Sequence, residues 1–435
     1  MPGTTLNYEQ TLEYLYAQLP MYQREGAAAY KKDLGNIKAL CDLLDHPQEK
    51  FPSVHIAGTN GKGTVAHMLA AVLQNRGYKT ALYTSPHYRD FRERIKINGA
   101  FISQDEVITF VDKYQQKIEE IKPSFFEITV AMAFDYFAKQ EIDIAIIETG
   151  LGGRLDSTNI LNPDLCVITN ISYDHQNMLG ETLPEIALEK AGIIKPKTRV
   201  VIGEYQQEVA HVFKAKAAEN EAPISFGDQS YRAQLKKRTA THSVYSIYRG
   251  DLCCYPDVHI NLLGSVQDKN VTTFFQALEE LNDLNLFKMV REYDIRNGLP
   301  KLREMTNYVG RWEVLGSGPT IIADSAHNDS GLKIAMKDLS EIKRKSLHMV
   351  IGMVNDKDIS KLLNHFPKEA TYYFCKAAIP RGLDASALKE KATEFELEGD
   401  AYPSVAEALE AAKSKATARD LVYVGGSTFV VAEVV

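Results

Sequence analysis

Val54-His-Ile-Ala-Gly58-Thr-Asn-Gly61-Lys62-Gly63-Thr64 runs directly into Val65-Ala-His-Met-Leu-Ala-Ala-Val-Leu73. A short apolar run, a glycine-rich turn with one lysine and a run of helical periodicity predict a strand that hands the chain to a phosphate-cradling helix N-terminus. Gly58, Gly61 and Gly63 let backbone N–H groups converge on phosphate oxygens, with Thr59 and Asn60 completing the turn. Lys62 adds a point charge where negative charge builds up during phosphoryl transfer. The spacing departs from the commonest pattern, because the first glycine stands four residues before Lys62 rather than six. Gly63 also occupies the place where a Ser or Thr usually meets magnesium, a role open to Thr64. The stretch reads as a nucleoside triphosphate site. A glycine-rich turn that only joins two elements is the alternative.

At 435 residues the chain exceeds the size at which one core stops growing, so two domains are expected. A net charge of −7 without any long block of Lys or Arg argues against a nucleic-acid footprint. The five cysteines, at positions 41, 166, 253, 254 and 375, form no CxxC pair, which suits a reducing cytosol and makes structural zinc an unattractive reading. No basic start precedes an apolar core at the N-terminus and no uncharged stretch approaches 18 residues, so a cytoplasmic chain without a membrane partner is expected.

Strand and helix patterns alternate outward from the loop. Gly77 supplies a C-cap, Lys79–Thr84 is a second apolar strand ending in Ser85-Pro86-His87, and Ser103 with Glu106 predicts a capping box for a helix reaching toward Lys122. Phe125-Phe126-Glu127 opens another helix. Ile142–Glu148 and Asp164–Asn170 are short buried strands that end in polar, glycine-rich loops. This order means a parallel sheet with ligands gathered at the strand carboxyl ends. Residues near 223 to 265 alternate instead and predict a small antiparallel addition. Helical periodicity spans about Asn270 to Glu292, with a break over Arg296–Pro300. A second α/β series follows, with strands at Thr320–Asp324, Leu347–Met353, Thr371–Cys375 and Leu421–Gly425. The fold class is therefore α/β, a phosphate-loop parallel-sheet domain over 1–303 followed by a smaller Rossmann-like α/β domain over 304–435.

Polar residues cluster at the strand ends. Glu148 introduces Thr149-Gly150-Leu151-Gly152-Gly153-Arg154-Leu155-Asp156, where a carboxylate beside flexible backbone suits magnesium near phosphates, or a tight turn with a solvated Glu. Asp174-His175 emerges at another strand end, as a ligand or a structural hydrogen-bonder. Thr182–Ile193 reads as a helix with a capping box and places Glu189 and Lys190 on a solvated face. Asp324-Ser-Ala-His327-Asn328 can hold a ribose or a carboxylate, and its Asp and Asn are also good N-caps. Arg311 beside Trp312 can meet an anion, or be a surface arginine next to a core tryptophan.

Taken jointly, Ala57–Thr64, Thr84-Ser85-Pro86-His87, Glu93-Arg-Ile95 with Asn98-Gly99, Phe126-Glu127, Glu148–Asn159, Asp174-His175 with Leu179-Gly180, Glu189–Ile193, Gly310-Arg-Trp-Glu313 and Asp324–Asn328 resemble the folylpolyglutamate synthase and dihydrofolate synthase family, relatives of the Mur ligases. The resemblance covers nearly the whole chain. Gly63 points to the folate branch. Val309, Ser325 and Val354–Asp358 depart from the family pattern, where proline or glycine is usual. The resemblance implies a Mur ligase-like fold, a central ATP-binding domain and a C-terminal glutamate ligase domain. It also implies ATP-dependent amide formation through an acyl phosphate, with L-glutamate added to dihydropteroate and to folates. A folylpolyglutamate synthase unable to use dihydropteroate is the alternative, and a silent ATP-binding regulatory protein is a third. By the same resemblance Lys62 meets the β/γ-phosphates, Thr64 sits near Mg2+, and Ser85, Glu148 and His175 ligate it. Lys190 becomes a carbamate that orients a second Mg2+, with Lys62, His175 and Lys190 as the catalytic set. Arg311 and Asp324 go to ATP and His327 to the substrates, at an interdomain cleft. Phe125, Phe126, Arg154 and Asp156 face the pteroate or folate. A monomer is expected.

Overall fold

The computed structural model describes residues 6–17, 33–239, 241–286, 288–355 and 359–435. Asp356–Asp358, part of the Val354–Asp358 departure, lie outside the described residues. The chain forms two compact units. Unit 1 comprises Met1–Lys237, Ser243–Asn261 and Asp268–Tyr308, and unit 2 comprises Arg238–His242, Leu262–Gln267 and Val309–Val435.

Unit 1 is built on eight strands: β1 Ser53–Ala57, β2 Thr80–Tyr83, β3 Ile95–Ile97, β4 Ala100–Phe101, β5 Ile144–Glu148, β6 Leu165–Ile168, β7 Arg199–Ile202 and β8 Ile224–Phe226. Their order is β4-β3-β2-β5-β1-β6-β7-β8. The six strands from β2 to β8 are parallel, and β3 and β4 add an antiparallel edge that the sequence reading lacked. β1 is completely buried, polar Ser53 and His55 included, as befits a central parallel strand. The register sets Ile56 beside Glu148 and Ala57 beside Ile168, so the loops after β1, β5 and β6 leave the sheet side by side. Ligands of open α/β sheets bind outside such carboxyl ends.

The helix Lys62–Arg76 is buried along Thr64–Leu73 and stops at Gly77, whose left-handed conformation closes it. Gln104–Ile121 is capped by Ser103 accepting from Glu106 N; the return bond of a capping box is not among its cap contacts. The full box forms at Ser124 and Glu127, which start Phe125–Lys139. The expected antiparallel addition exists as β9 Arg232–Arg238, β10 Ser243–Arg249 and β11 Leu252–Ile260, although β8 before it joins the main sheet. Helical structure covers Gln267–Asp283 and resumes at Glu292–Gly298, so Arg296 to Gly298 continue a helix instead of breaking one. The 3-10 turn Leu299–Lys301, with Pro300 at its start, supplies the break.

Unit 2 carries β12 Glu313–Ser317, β13 Thr320–Asp324, β14 Leu347–Ile351, β15 Thr371–Cys375, β16 Gly399–Tyr402 and β17 Leu421–Gly425. Their order is β12-β13-β17-β14-β15-β16, with β12 antiparallel and the others parallel. Among the described residues no helix is long and apolar enough to cross a membrane.

Candidate active site

The loop after β1 is shaped by its neighbours. Gly58 (φ +144°) lies so close to β6 that a Cβ there would stand 1.9 Å from Thr169 Oγ1, and Gly61 (φ +86°) precedes the helix without any side-chain cap. Thr59 N donates to Asn170 O (2.9 Å) and Asn60 N to Asn170 Oδ1 (3.1 Å), while Thr169 Oγ1 donates to Asn60 O (2.6 Å). Thr59 Oγ1 exchanges hydrogen bonds with the backbone of Ser172. The buried polar residues Thr169 and Asn170, at the carboxyl end of β6, were quoted as strand residues only; their role as the clamp of this loop depends on the sheet order.

Two lysines meet on one carbonyl. Lys62 Nζ donates to Gly58 O (3.1 Å) and Thr59 O (3.3 Å), and Lys190 Nζ donates to Gly58 O (2.9 Å). Lys190 is buried, which corrects its expected solvated face: the helix Leu183–Ala191 lies under the loop and aims this side chain inward. Burial, then the neighbouring Lys62 charge, lowers the Lys190 pKa to about 7. The result is a buried amine with a substantial uncharged fraction near neutrality. Glu189, the preceding residue, turns outward to pair with the exposed Arg154 at 2.8 Å.

Glu148 closes β5 with a buried carboxylate that accepts from Ser85 N at 3.2 Å. A Cβ on Gly63 would lie 3.4 Å from Glu148 Oε2, in ordinary van der Waals contact, so the carboxylate stands over the first helical turn. Thr64, the next residue of the helix, is buried. His175 is partly exposed, in a left-handed backbone conformation at the start of the short helix Gln176–Leu179, with Nε2 3.8 Å from Asp174 Oδ1. Among the described residues no three His, Cys, Asp or Glu side chains form a metal-holding group by themselves.

The residues assigned to the substrate divide. Phe125 is a core side chain, packed on Tyr16 (ring centroids 5.4 Å) and Phe91 (5.8 Å) with Arg94 over its face, so it offers no free stacking surface. Phe126 is only partly buried and lies on the Gly150 backbone, where a Cβ would be 2.4 Å from its ring. Asp156 is buried and works as an N-cap, accepting from Leu151 N (2.8 Å) and Thr158 N (3.0 Å). Its carboxyl pKa is raised by burial despite these bonds. Thr158 carries the link on to His55 Nε2 at 2.8 Å, inside β1.

In unit 2, Asp324 at the end of β13 accepts from Trp312 N (2.8 Å) and Ala326 N (3.0 Å), and burial raises its pKa while Arg311 opposes the rise. Trp312 belongs to the core and Arg311 is partly exposed. His327 Nδ1 is 2.9 Å from Ser325 O, and Asn328 caps Asp329–Ser340 through Gly331 N. The aspartate thus braces the loop that carries Arg311 to the loop that carries His327.

The family model of the Mur ligase middle domain matches residues 56–277, and that of the Mur ligase glutamate ligase domain matches residues 310–428. A dihydrofolate synthase/folylpolyglutamate synthase of Bacillus subtilis is 32% identical over 419 residues, covering 93% of this chain and 94% of that protein. The chain belongs to the folylpolyglutamate synthase/dihydrofolate synthase family of Mur ligases. Among solved members, Escherichia coli FolC in complex with DHPP and ADP has a TM-score of 0.83 at 27% identity, covering 100% of this chain and 98% of that one. A bifunctional folylpolyglutamate synthase/dihydrofolate synthase with Mn, AMPPNP and L-glutamate bound has a TM-score of 0.83 at 27% identity, covering 99% and 97%. In this folylpolyglutamate synthase family member, the β1 loop lies inside the middle-domain match and the Arg311 and Asp324–Asn328 loops inside the glutamate ligase match.

Proposed function

We propose that the chain is an ATP-dependent ligase that joins L-glutamate to dihydropteroate and to folates, with the division of labour read near residue 304. The observation that carries this is the meeting of Lys62, buried Lys190 and buried Glu148 around one uncapped helix N-terminus. That set of charges suits phosphoryl transfer, which needs positioning and electrostatic stabilisation more than a protein nucleophile.

In the first step a carboxylate oxygen of the substrate attacks the γ-phosphorus. The new O–P bond forms as the bond to the β,γ-bridging oxygen breaks, and ADP leaves. The amino group of L-glutamate then adds to the acyl carbon and loses a proton as phosphate departs with its oxygen. Lys62 leaves Gly58 O and Thr59 O to meet the β/γ-phosphates, and the backbone N–H groups at Gly61–Gly63 help hold them. Magnesium fits the donors present: a buried carboxylate at Glu148, the Ser85 and Thr64 hydroxyls, and His175, a sparse set that leaves positions for water and phosphate. When bound, it neutralises developing charge on the phosphate oxygens. The free-base fraction of Lys190, substantial at neutrality for a pKa of about 7, can add to CO2 to give a carbamate and release a proton, turning a neutral amine into an anion suited to a second magnesium.

Arg311, Asp324 and His327 are read as nucleotide- and glutamate-facing groups of unit 2. Phe126 is the ring offered to the pterin, with Asp156 and Arg154 shaping its loop. The soluble cytosol is the expected compartment, and a monomer the expected form. Phosphate release with Mg–ATP, glutamate and either dihydropteroate or tetrahydrofolate tests the reading: both acceptors support release, and none occurs without an acceptor. Release with ATP alone would make this a simple ATPase, and release with tetrahydrofolate only would restrict it to folate extension.

A further inference from the structure

The last residues of unit 1 are pinned to the phosphate-loop helix. Thr64, its third residue, has its hydroxyl 2.7 Å from the Tyr308 hydroxyl. One turn on, His67 Nδ1 is 2.6 Å from Thr306 Oγ1. The single Thr306 hydroxyl proton goes to Leu302 O (2.6 Å), so His67 Nδ1 carries a hydrogen and donates. The His67 ring packs edge-on against Tyr308 with centroids 4.7 Å apart, and the Arg303 guanidinium lies over the Tyr308 ring at 5.4 Å. Lys96 Nζ donates to Thr306 O (3.0 Å) and Asn307 O (3.3 Å). The Tyr308 ring is therefore held by groups other than Thr64, and its hydroxyl is a fixed point.

A helical threonine divides between two χ1 rotamers, because its hydroxyl can also bond a carbonyl of the preceding turn. A fixed partner selects one of them. We propose that Tyr308 is a positioning residue for the nucleotide, holding the Thr64 hydroxyl in a single rotamer before ligand arrives. Whichever of the two hydroxyls donates, the Thr64 oxygen keeps a lone pair or a proton for the ligand. Ordering it in advance removes part of the entropic cost of binding. The inference rests on the reading of Gly58–Thr64 as the nucleotide site.

The test is calorimetric binding of Mg–AMPPNP, together with steady-state KM values, for the full-length wild type and Tyr308→Phe. The variant keeps the ring between His67 and Arg303 and loses only the hydroxyl. Its Kd for Mg–AMPPNP and KM for ATP should rise about three- to tenfold, the scale of one neutral hydrogen bond, with KM for glutamate and for the folate unchanged. In a Thr64→Val background, Tyr308→Phe should cost nothing further. An equal Kd for wild type and Tyr308→Phe, a parallel rise of all three KM values, or additive losses in the double variant overturns the proposal. Absence of AMPPNP binding by the wild type overturns the nucleotide-site reading and this inference with it.

Discussion

Both units turn a buried strand into a helix through a polar loop, β1 into Lys62–Arg76 and β13 into Asp329–Ser340, yet the loops treat their N–H groups in opposite ways. In unit 1 the residue before the helix is Gly61, and no side chain caps the first turn. In unit 2 Asn328 accepts from Gly331 N at 2.8 Å, and the Asp324 carboxylate takes the N–H groups of Ala326 and Trp312. The first loop gives Thr59 N and Asn60 N to Asn170 but leaves the first helical turn without a side-chain cap beside Lys62, which suits the anion cradle proposed above. The second spends its donors on its own Asx side chains, which makes a rigid mount for Arg311 and His327. The same topology yields an uncapped helix start or a capped side-chain platform according to whether glycine or Asx stands at the turn.

The comparison is broken most strongly at the lysine. Lys62→Ala should lower turnover by roughly 10²-fold or more while the thermal midpoint stays near that of the wild type, since the change removes charge at a site of developing charge without disturbing the core. Near-normal turnover in a phosphate-release assay would reduce the unit 1 loop to a connector.

Lys190→Met should also abolish most turnover, and it carries a pH signature. A folded-state pKa of about 7, against an ordinary value of 10.5, means that between those limits the unfolded chain binds the proton and the folded chain does not. Wild-type stability should then rise with pH across that window through this group, and the full cost of the buried amine is felt near pH 7 and below. In CO2-depleted buffer, urea titrations should show Lys190→Met gaining on the wild type near pH 7 and losing that advantage toward pH 10. Parallel profiles would place the amine in solvent.

Two glycine substitutions separate crowding from backbone strain. Gly58→Ala puts a methyl 1.9 Å from Thr169 Oγ1, the hydroxyl that clamps Asn60, and should cost roughly 3 kcal/mol or more together with nucleotide binding. Gly77→Ala, also at positive φ but with nothing within 4 Å, should cost about 1 kcal/mol and spare turnover. Equal losses in denaturant titrations would remove Thr169 from the account of the loop. In unit 2, Asn328→Ala should cost about 1 kcal/mol by loss of the cap, against a few tenths for Asn328→Gly. A large loss of turnover at unchanged stability would instead make Asn328 a ligand-facing residue.

Much of this was legible in the residues. Apolar runs of strand length, Gly77 as a helix stop and Thr182 with Glu185 as a capping box act within a few residues, and each is present in the fold. The antiparallel edge β3–β4 was not legible, because three- and two-residue strands carry almost no periodicity and exist only through pairing with β2. Phe125 and Phe126 are chemically identical neighbours, and packing alone assigns one to the core and the other to the edge of the Gly150 loop. That Asp156 caps its own loop was not legible, because its partners, Leu151 N and Thr158 N, are claimed only after the loop folds back.

The sequence by itself determined the α/β alternation, the glycine-rich loop with Lys62, and the family, because these depend on residue type at short spacing. Only the tertiary structure decided that Lys190 is buried against Gly58 O, that Glu148 stands over Gly63 and that Tyr308 meets Thr64. Those pairs lie 132, 85 and 244 residues apart. What joins them is the order of strands in one sheet, and burial then sets the charge of an amine that would be an ordinary surface cation in an isolated helix.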